Sequence, residues 1–150
     1  GVLMGVEHVD SSLGKPRFSN YWPGSNNVSV DTNHPVKAFV ADNPNQLFQV
    51  ASDASLTDKA TAQAAVFANA TLGTSARSGS TSTGRSSSAL SVSSIATTAT
   101  LGLRIVGIQD DEANSDYTAA GIPLIVRLNA HFNATTSRYD SQTTATSTGI

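Results

Sequence analysis

The sequence contains no cysteine, which removes disulfide staples, thiolate zinc sites and cysteine nucleophiles together. Small secreted β-domains often rely on such bridges, so their absence leans towards assembly in a reducing cytosol. Charge is also scarce: 13% of residues are charged and the formal net charge is -2, so no broad basic field exists to hold nucleic acid. No apolar run approaches the length of a membrane span, and the opening run lacks both the basic flank and the length of a signal h-region. Aromatic residues make up 6% of the chain, with a single tryptophan. What remains is 150 residues with 39% hydrophobic content, enough for one modest core with a polar appendage.

The chain opens on Gly1-Val2-Leu3-Met4-Gly5-Val6, an apolar run with no turn or cap ahead of it. Such a run needs strand neighbours, so further strands are expected upstream and Met4 is not expected to be the initiator. The first strand is read over Val2 to Val9. Asp10-Ser11-Ser12-Leu13-Gly14-Lys15-Pro16 closes it with residues that tolerate tight-turn dihedrals, predicting a hairpin-like reversal. Phe18, Tyr21 and Trp22 then gather beside Pro23-Gly24, and their rings are expected to pin this loop to the sheet.

Val36 to Ala41 and Gln46 to Ala51 read as two short strands around Asp42-Asn43-Pro44-Asn45, a type I turn composition that predicts a β-hairpin. Phe48 and Val50 are expected to face the core. Ser55 to Asn69 is the helix candidate, with Ser55 or Thr57 as its cap and Leu56, Ala60, Ala64 and Phe67 on one stripe. Gly73 to Ser94 is dominated by Ser, Thr and Gly and reads as a long loop or arm that a partner surface can order. Ala99 to Ile108 carries the strongest strand signal, answered by Ile122 to Phe132, so the two should pair antiparallel across the acidic loop Gln109 to Gly121. The segment Asn133 to Ile150 is almost free of apolar residues and reads as a tail outside the core. The fold class expected is therefore mainly β: a barrel or sandwich over residues 1–132 with one short helix and a long Ser/Thr-rich loop, followed by a polar arm, 133–150.

The residue types that carry chemistry do not assemble into a catalytic pattern. His8, His34 and His131 lack the close spacing of a zinc site, so surface or hydrogen-bonded histidines are the default. Asp110, Asp111, Glu112, Asn114 and Asp116 offer oxygen ligands, but the glycine and terminal glutamate of an EF-hand are misplaced, which favours a solvated loop. There is no Gly-x-Ser-x-Gly elbow, and Gly79-x4-Gly84 is followed by Arg85 instead of Lys and Ser/Thr. Asn27, Asn69 and Asn133 sit in sequons that arise by chance in a Ser/Thr-rich chain. Neither enzyme nor cofactor is expected.

Several short segments together resemble the capsid decoration, or cement, proteins of tailed bacteriophages. They are Gly5-Val6-Glu7-His8-Val9-Asp10, Gly14-Lys15-Pro16-Arg17-Phe18-Ser19-Asn20-Tyr21-Trp22-Pro23-Gly24, Asp42-Asn43-Pro44 with Phe48-Gln49-Val50, Thr83-Gly84-Arg85-Ser86, and the hairpin Leu101 to Ile108 with Val126-Arg127-Leu128-Asn129 and His131. The resemblance implies a non-enzymatic virion protein, made in the bacterial cytoplasm. Such a protein binds the outer face of the capsid and bridges neighbouring major capsid subunits and copies of itself. It carries over no catalytic residues. Phe18, Tyr21, Trp22, Arg77, Arg85 and Arg138 are the candidate interface residues, with Gly73 to Ser94 and Asn133 to Ile150 as interaction segments. The alternative is a receptor- or glycan-binding module of a tail fibre or adhesin that uses the aromatic loop as its platform; a β-sandwich hydrolase with a dispersed site would require the histidines and carboxylates to come together in one cleft.

Overall fold

A computed structural model describes residues 1–73, 79–109, 116–129 and 131. The tail, Arg77, Arg138 and residues 110–115 of the acidic loop lie outside the described residues. The chain divides into two compact units: Gly1–Asn43 with the described part of Ser78–Ser86, and the described parts of Pro44–Arg77 and Ser87–Ile150. The protein is mainly β, as expected, with two antiparallel sheets, one in each unit. Neither sheet closes into a barrel among the described residues.

The first unit is built on β1, Val2–Asp10, with β2, Lys15–Ser19, and β3, Lys37–Ala41, in the order β2-β1-β3. The apolar opening run thus becomes the central strand. The reversal expected after Val9 is present, and Gly14 occupies its left-handed position at φ 63°, which glycine adopts without strain. A bulge between Leu3 and Gly5 shifts the β1–β3 register. The 80–85 segment forms a small reversal bridged at Ser80 and Arg85.

The second unit holds the four-stranded sheet β4-β7-β6-β5. Its strands are β4, Phe48–Ala51; β5, Asn69–Ala70; β6, Leu103–Ile108; and β7, Pro123–Leu128. The β6–β7 pairing expected from alternation is found, with Ile105 opposite Val126. Leu124 and Val126 are buried while Ile125 and Arg127 take the other face, the two-residue period of a strand with one face in a core. Leu56, Ala62, Leu90, Ile105, Ile122, Leu124 and Val126 form that core, and Phe48 and Val50 pack against it as expected. The buried Ser52 hydroxyl ties two parts of this unit together, accepting from the N–H groups of Gly121 and Ile122 at 3.2 and 3.1 Å.

Three expectations are corrected. The Asp42 to Asn45 turn does not join a hairpin, because β3 pairs with β1 and β4 pairs with β7; turn residues set a local reversal, not the partner of the next strand. The helix α1 spans only Lys59–Ala64, capped by the Asp58 carboxylate accepting from Thr61 N–H at 2.7 Å. It cannot start earlier because Thr57 sits at φ 64°, and the chain leaves it where Phe67, at φ 72°, donates its N–H to Ile105 O at 2.8 Å. The buried side of this segment is Leu56, Ala62 and Ala65, while Ala60, Ala64 and Phe67 are exposed. Finally, the end of the Ser/Thr-rich stretch is not a free arm: Leu90 is fully buried, bridges Ser52 and Leu72, and precedes a 3-10 turn at Val92–Ser94.

Candidate functional site: an apolar sheet face

The two units differ sharply in how they treat apolar residues. Among the described residues, Val6 is the single large apolar side chain that the first unit buries, yet this unit exposes Val2, Leu3, Met4, Phe18, Phe39 and Val40 along its three strands. By register these divide between the two faces, Leu3 and Val40 on the side of Val6 and the two phenylalanines on the other; ordinary surfaces carry apolar residues singly, and a pair of exposed rings in contact marks an interaction surface.

Register shows how the group is organised. Phe18 stands opposite Glu7 on one side of β1, and Phe39 stands opposite Gly5 on the other. Residues directly opposite in a ladder share a face, so both rings lie on the face of Gly5, Glu7 and Val9. They meet above β1 with centroids 5.9 Å apart and planes at 50°, a tilted geometry that aromatic pairs favour. Phe18 is nevertheless 68% exposed and Phe39 45%. Lys37 and Glu7, 3.5 Å apart, rim the pair with an exposed ion pair. That contact contributes little to stability but fixes the sign of charge at each edge of the patch.

The opposite face carries Val6, His8 and Asp10, all buried. The Trp22 ring stands edge-on to His8 at 6.1 Å and 85°, so this tryptophan does pin its loop to the sheet. Tyr21 is half-buried, with its N–H donating to Ser19 Oγ at 3.4 Å. The three aromatics gathered by the sequence are therefore divided by the sheet: Phe18 lies on one face and Trp22 packs on the other. Phe39 is the partner that sequence reasoning missed. Its signal was the alternation within Val36 to Ala41, which shows two faces but not which of them is covered.

Around Asp10 the turn is held by a carboxylate that accepts from Ser12 Oγ, from the N–H groups of Ser12 at 2.9 Å and Leu13 at 3.3 Å, and from Arg17 Nη1 at 3.2 Å. The Ser12 hydroxyl and N–H, more than the Arg17 charge, hold this carboxyl below the usual carboxylate range against the opposing effect of burial. Arg85 is exposed, next to Gly84, which approaches the Asn20 side chain so closely that a Cβ there would lie 2.5 Å from it.

The histidines have separate settings: His8 is buried against Trp22, His34 Nδ1 pairs with Asp31 at 2.9 Å on the surface, and His131 is buried in the second unit. Among the described residues there is no group of three or more His, Asp or Glu side chains able to hold a metal ion, and no helix long and apolar enough to cross a membrane. No protein-family model, curated protein or solved structure matches the chain.

Proposed function

We propose that this chain is a structural virion protein that docks on the outer surface of a phage capsid and cements neighbouring major capsid subunits. The observation that carries the reading is the Phe18–Phe39 pair, exposed on a sheet that buries almost no apolar side chain of its own. Clustered aromatics that no core claims are the residues that dominate protein interfaces. The resemblance to decoration proteins, through segments that include β1, β2 and Phe18 itself, supplies the kind of partner. A protein that binds only the assembled shell stabilises it by mass action, and many copies on one particle add their effects.

The test is occupancy on expanded, genome-free shells assembled from a tailed-phage major capsid protein. The double variant Phe18→Ala with Phe39→Ala is expected to lose about tenfold or more in apparent affinity, since hot-spot aromatics contribute more than about 1–2 kcal/mol each. Its melting temperature should stay close to that of the unaltered chain because both rings are exposed. Full occupancy by the double variant would sink the reading.

A further inference from the structure

Arg104 on β6 and Arg127 on β7 stand directly opposite each other, on the outward face of the second unit's sheet, turned away from Ile105, Leu124 and Val126. Like charges placed directly opposite weaken a ladder. Exposed Gln49 lies opposite Ile125 on this same face, so solvent reaches it. On the other side the row continues to Asn69, opposite Arg104 and fully buried, whose amide donates to Thr98 O at 3.1 Å. Both arginines are half-buried. The Arg127 Nε–H is buried with no acceptor among the described residues, and none of their salt bridges engages this guanidinium. A charged donor held in this way has lost part of its hydration with no partner to offset the loss.

We propose that Arg127, with the charge of Arg104 beside it, forms an oxyanion-binding site that takes one phosphate or carboxylate group at the outward face of the second sheet. A guanidinium presents its N–H groups as a planar fork that matches two oxygens of one acid group. One such ligand supplies the missing acceptor and places a negative charge between two positive ones, so it relieves both costs at once. The site shares no residue with the Phe18–Phe39 patch. Its oxyanion comes either from a free anion or from an acidic side chain of the shell; the second source rests on the docking reading, and the site itself does not.

The test is thermal unfolding at constant ionic strength while chloride is replaced stepwise by inorganic phosphate. Exclusion of phosphate from the protein surface stabilises every chain alike, so the readout is the difference between chains. The unaltered chain should gain more than this common amount, rising with the logarithm of phosphate concentration once the site fills, and the Arg127 Nε–H resonance should shift along the same titration. Arg127→Met keeps the aliphatic stem and removes the charge. It should melt at or above the unaltered chain in chloride and show the common gain alone, whereas Lys15→Gln, at an exposed position of β2, should keep the full gain. An equal gain in the unaltered and Arg127→Met chains overturns the inference. So does an Nε–H resonance that does not move, or an Arg127→Met chain that melts well below the unaltered one in chloride, which would make this arginine a structural support. Shell occupancy of Arg127→Met then separates the sources: with the phosphate response present, full occupancy assigns the site to a free anion and lost occupancy assigns it to a shell carboxylate. Failure of the phosphate response leaves the Phe18–Phe39 docking test untouched, so the two readings fail independently.

Discussion

Gly5 leaves the space that the Phe18 ring fills: a Cβ built on it would fall 2.5 Å from Phe18 Cζ and 3.0 Å from the carbonyl oxygen of Ser19. In an open strand, alanine would be preferred over glycine by roughly 0.5–1 kcal/mol. Here overlap decides the sign, because one of the two contacts is backbone and cannot swing aside. Gly5→Ala is expected to destabilise the chain by about 1–3 kcal/mol and to displace Phe18 from Phe39. Thermal unfolding measures the first effect; loss of shell occupancy measures the second. A variant more stable than the unaltered chain would show that Phe18 is not seated over Gly5.

Leu90 tests how firmly the Ser/Thr-rich stretch is anchored. Its N–H donates to Ala51 O at 2.8 Å and its side chain is fully buried in the core of the second unit. Truncating it removes apolar contacts and leaves a cavity, so Leu90→Ala should cost about 2–5 kcal/mol, read from denaturant unfolding. A serine-rich arm that orders only on a partner would lose almost nothing at this position.

The sequence marked elements whose signal is internal and missed those set by distant partners. The β6–β7 pair was legible because alternation in Leu124, Ile125, Val126 and Arg127 fixes both strand and buried face. The β1–β2 reversal was legible because Asp10 to Pro16 is a turn in its own right. The Asp42 to Asn45 segment has equally good turn chemistry yet joins two separate sheets, since β3 and β4 each find a stronger neighbour elsewhere. Leu90 was hidden because one leucine among serines carries no periodicity, although a single buried side chain is enough to tie a segment to a core. In the candidate site, Phe18 and Trp22 were visible as a cluster, but the strand between them puts them on different faces. That separation, and the pairing of Phe18 with Phe39, depends on register with β1.

Acid sensitivity follows from the carboxylates that cap turns. Asp10 is held low chiefly by Ser12, Asp31 by the Asn33 N–H, Asp58 by the Thr61 N–H and Asp116 by the Thr118 hydroxyl. Each has a folded-state pKa below its unfolded value, so each favours folding in its ionised form. This contribution is complete above the unfolded carboxylate pKa of about 4 and is lost as pH falls through the lower folded values. Melting temperature should be flat with respect to these groups between about pH 5 and 7 and fall steeply below about pH 4. Asp10→Asn should shallow that fall. An unchanged acid limb in this variant would exclude Asp10 as a contributor.

Trp22 separates the docking reading from the glycan platform. Its ring stands edge-on to the buried His8, on the face away from Phe18, which gives it the role of a clasp that closes the back of the sheet. Trp22→Ala should therefore act on folding first: deleting a partly buried indole and uncovering His8 lowers stability by about 1–3 kcal/mol, less than the loss at a fully buried tryptophan. Shell occupancy measured well below the variant's melting temperature should fall far less than for the Phe18 and Phe39 double variant. The opposite pattern, an unchanged melting temperature with binding to a glycan array present in the unaltered chain and abolished by Trp22→Ala, would transfer the function to saccharide recognition at that ring.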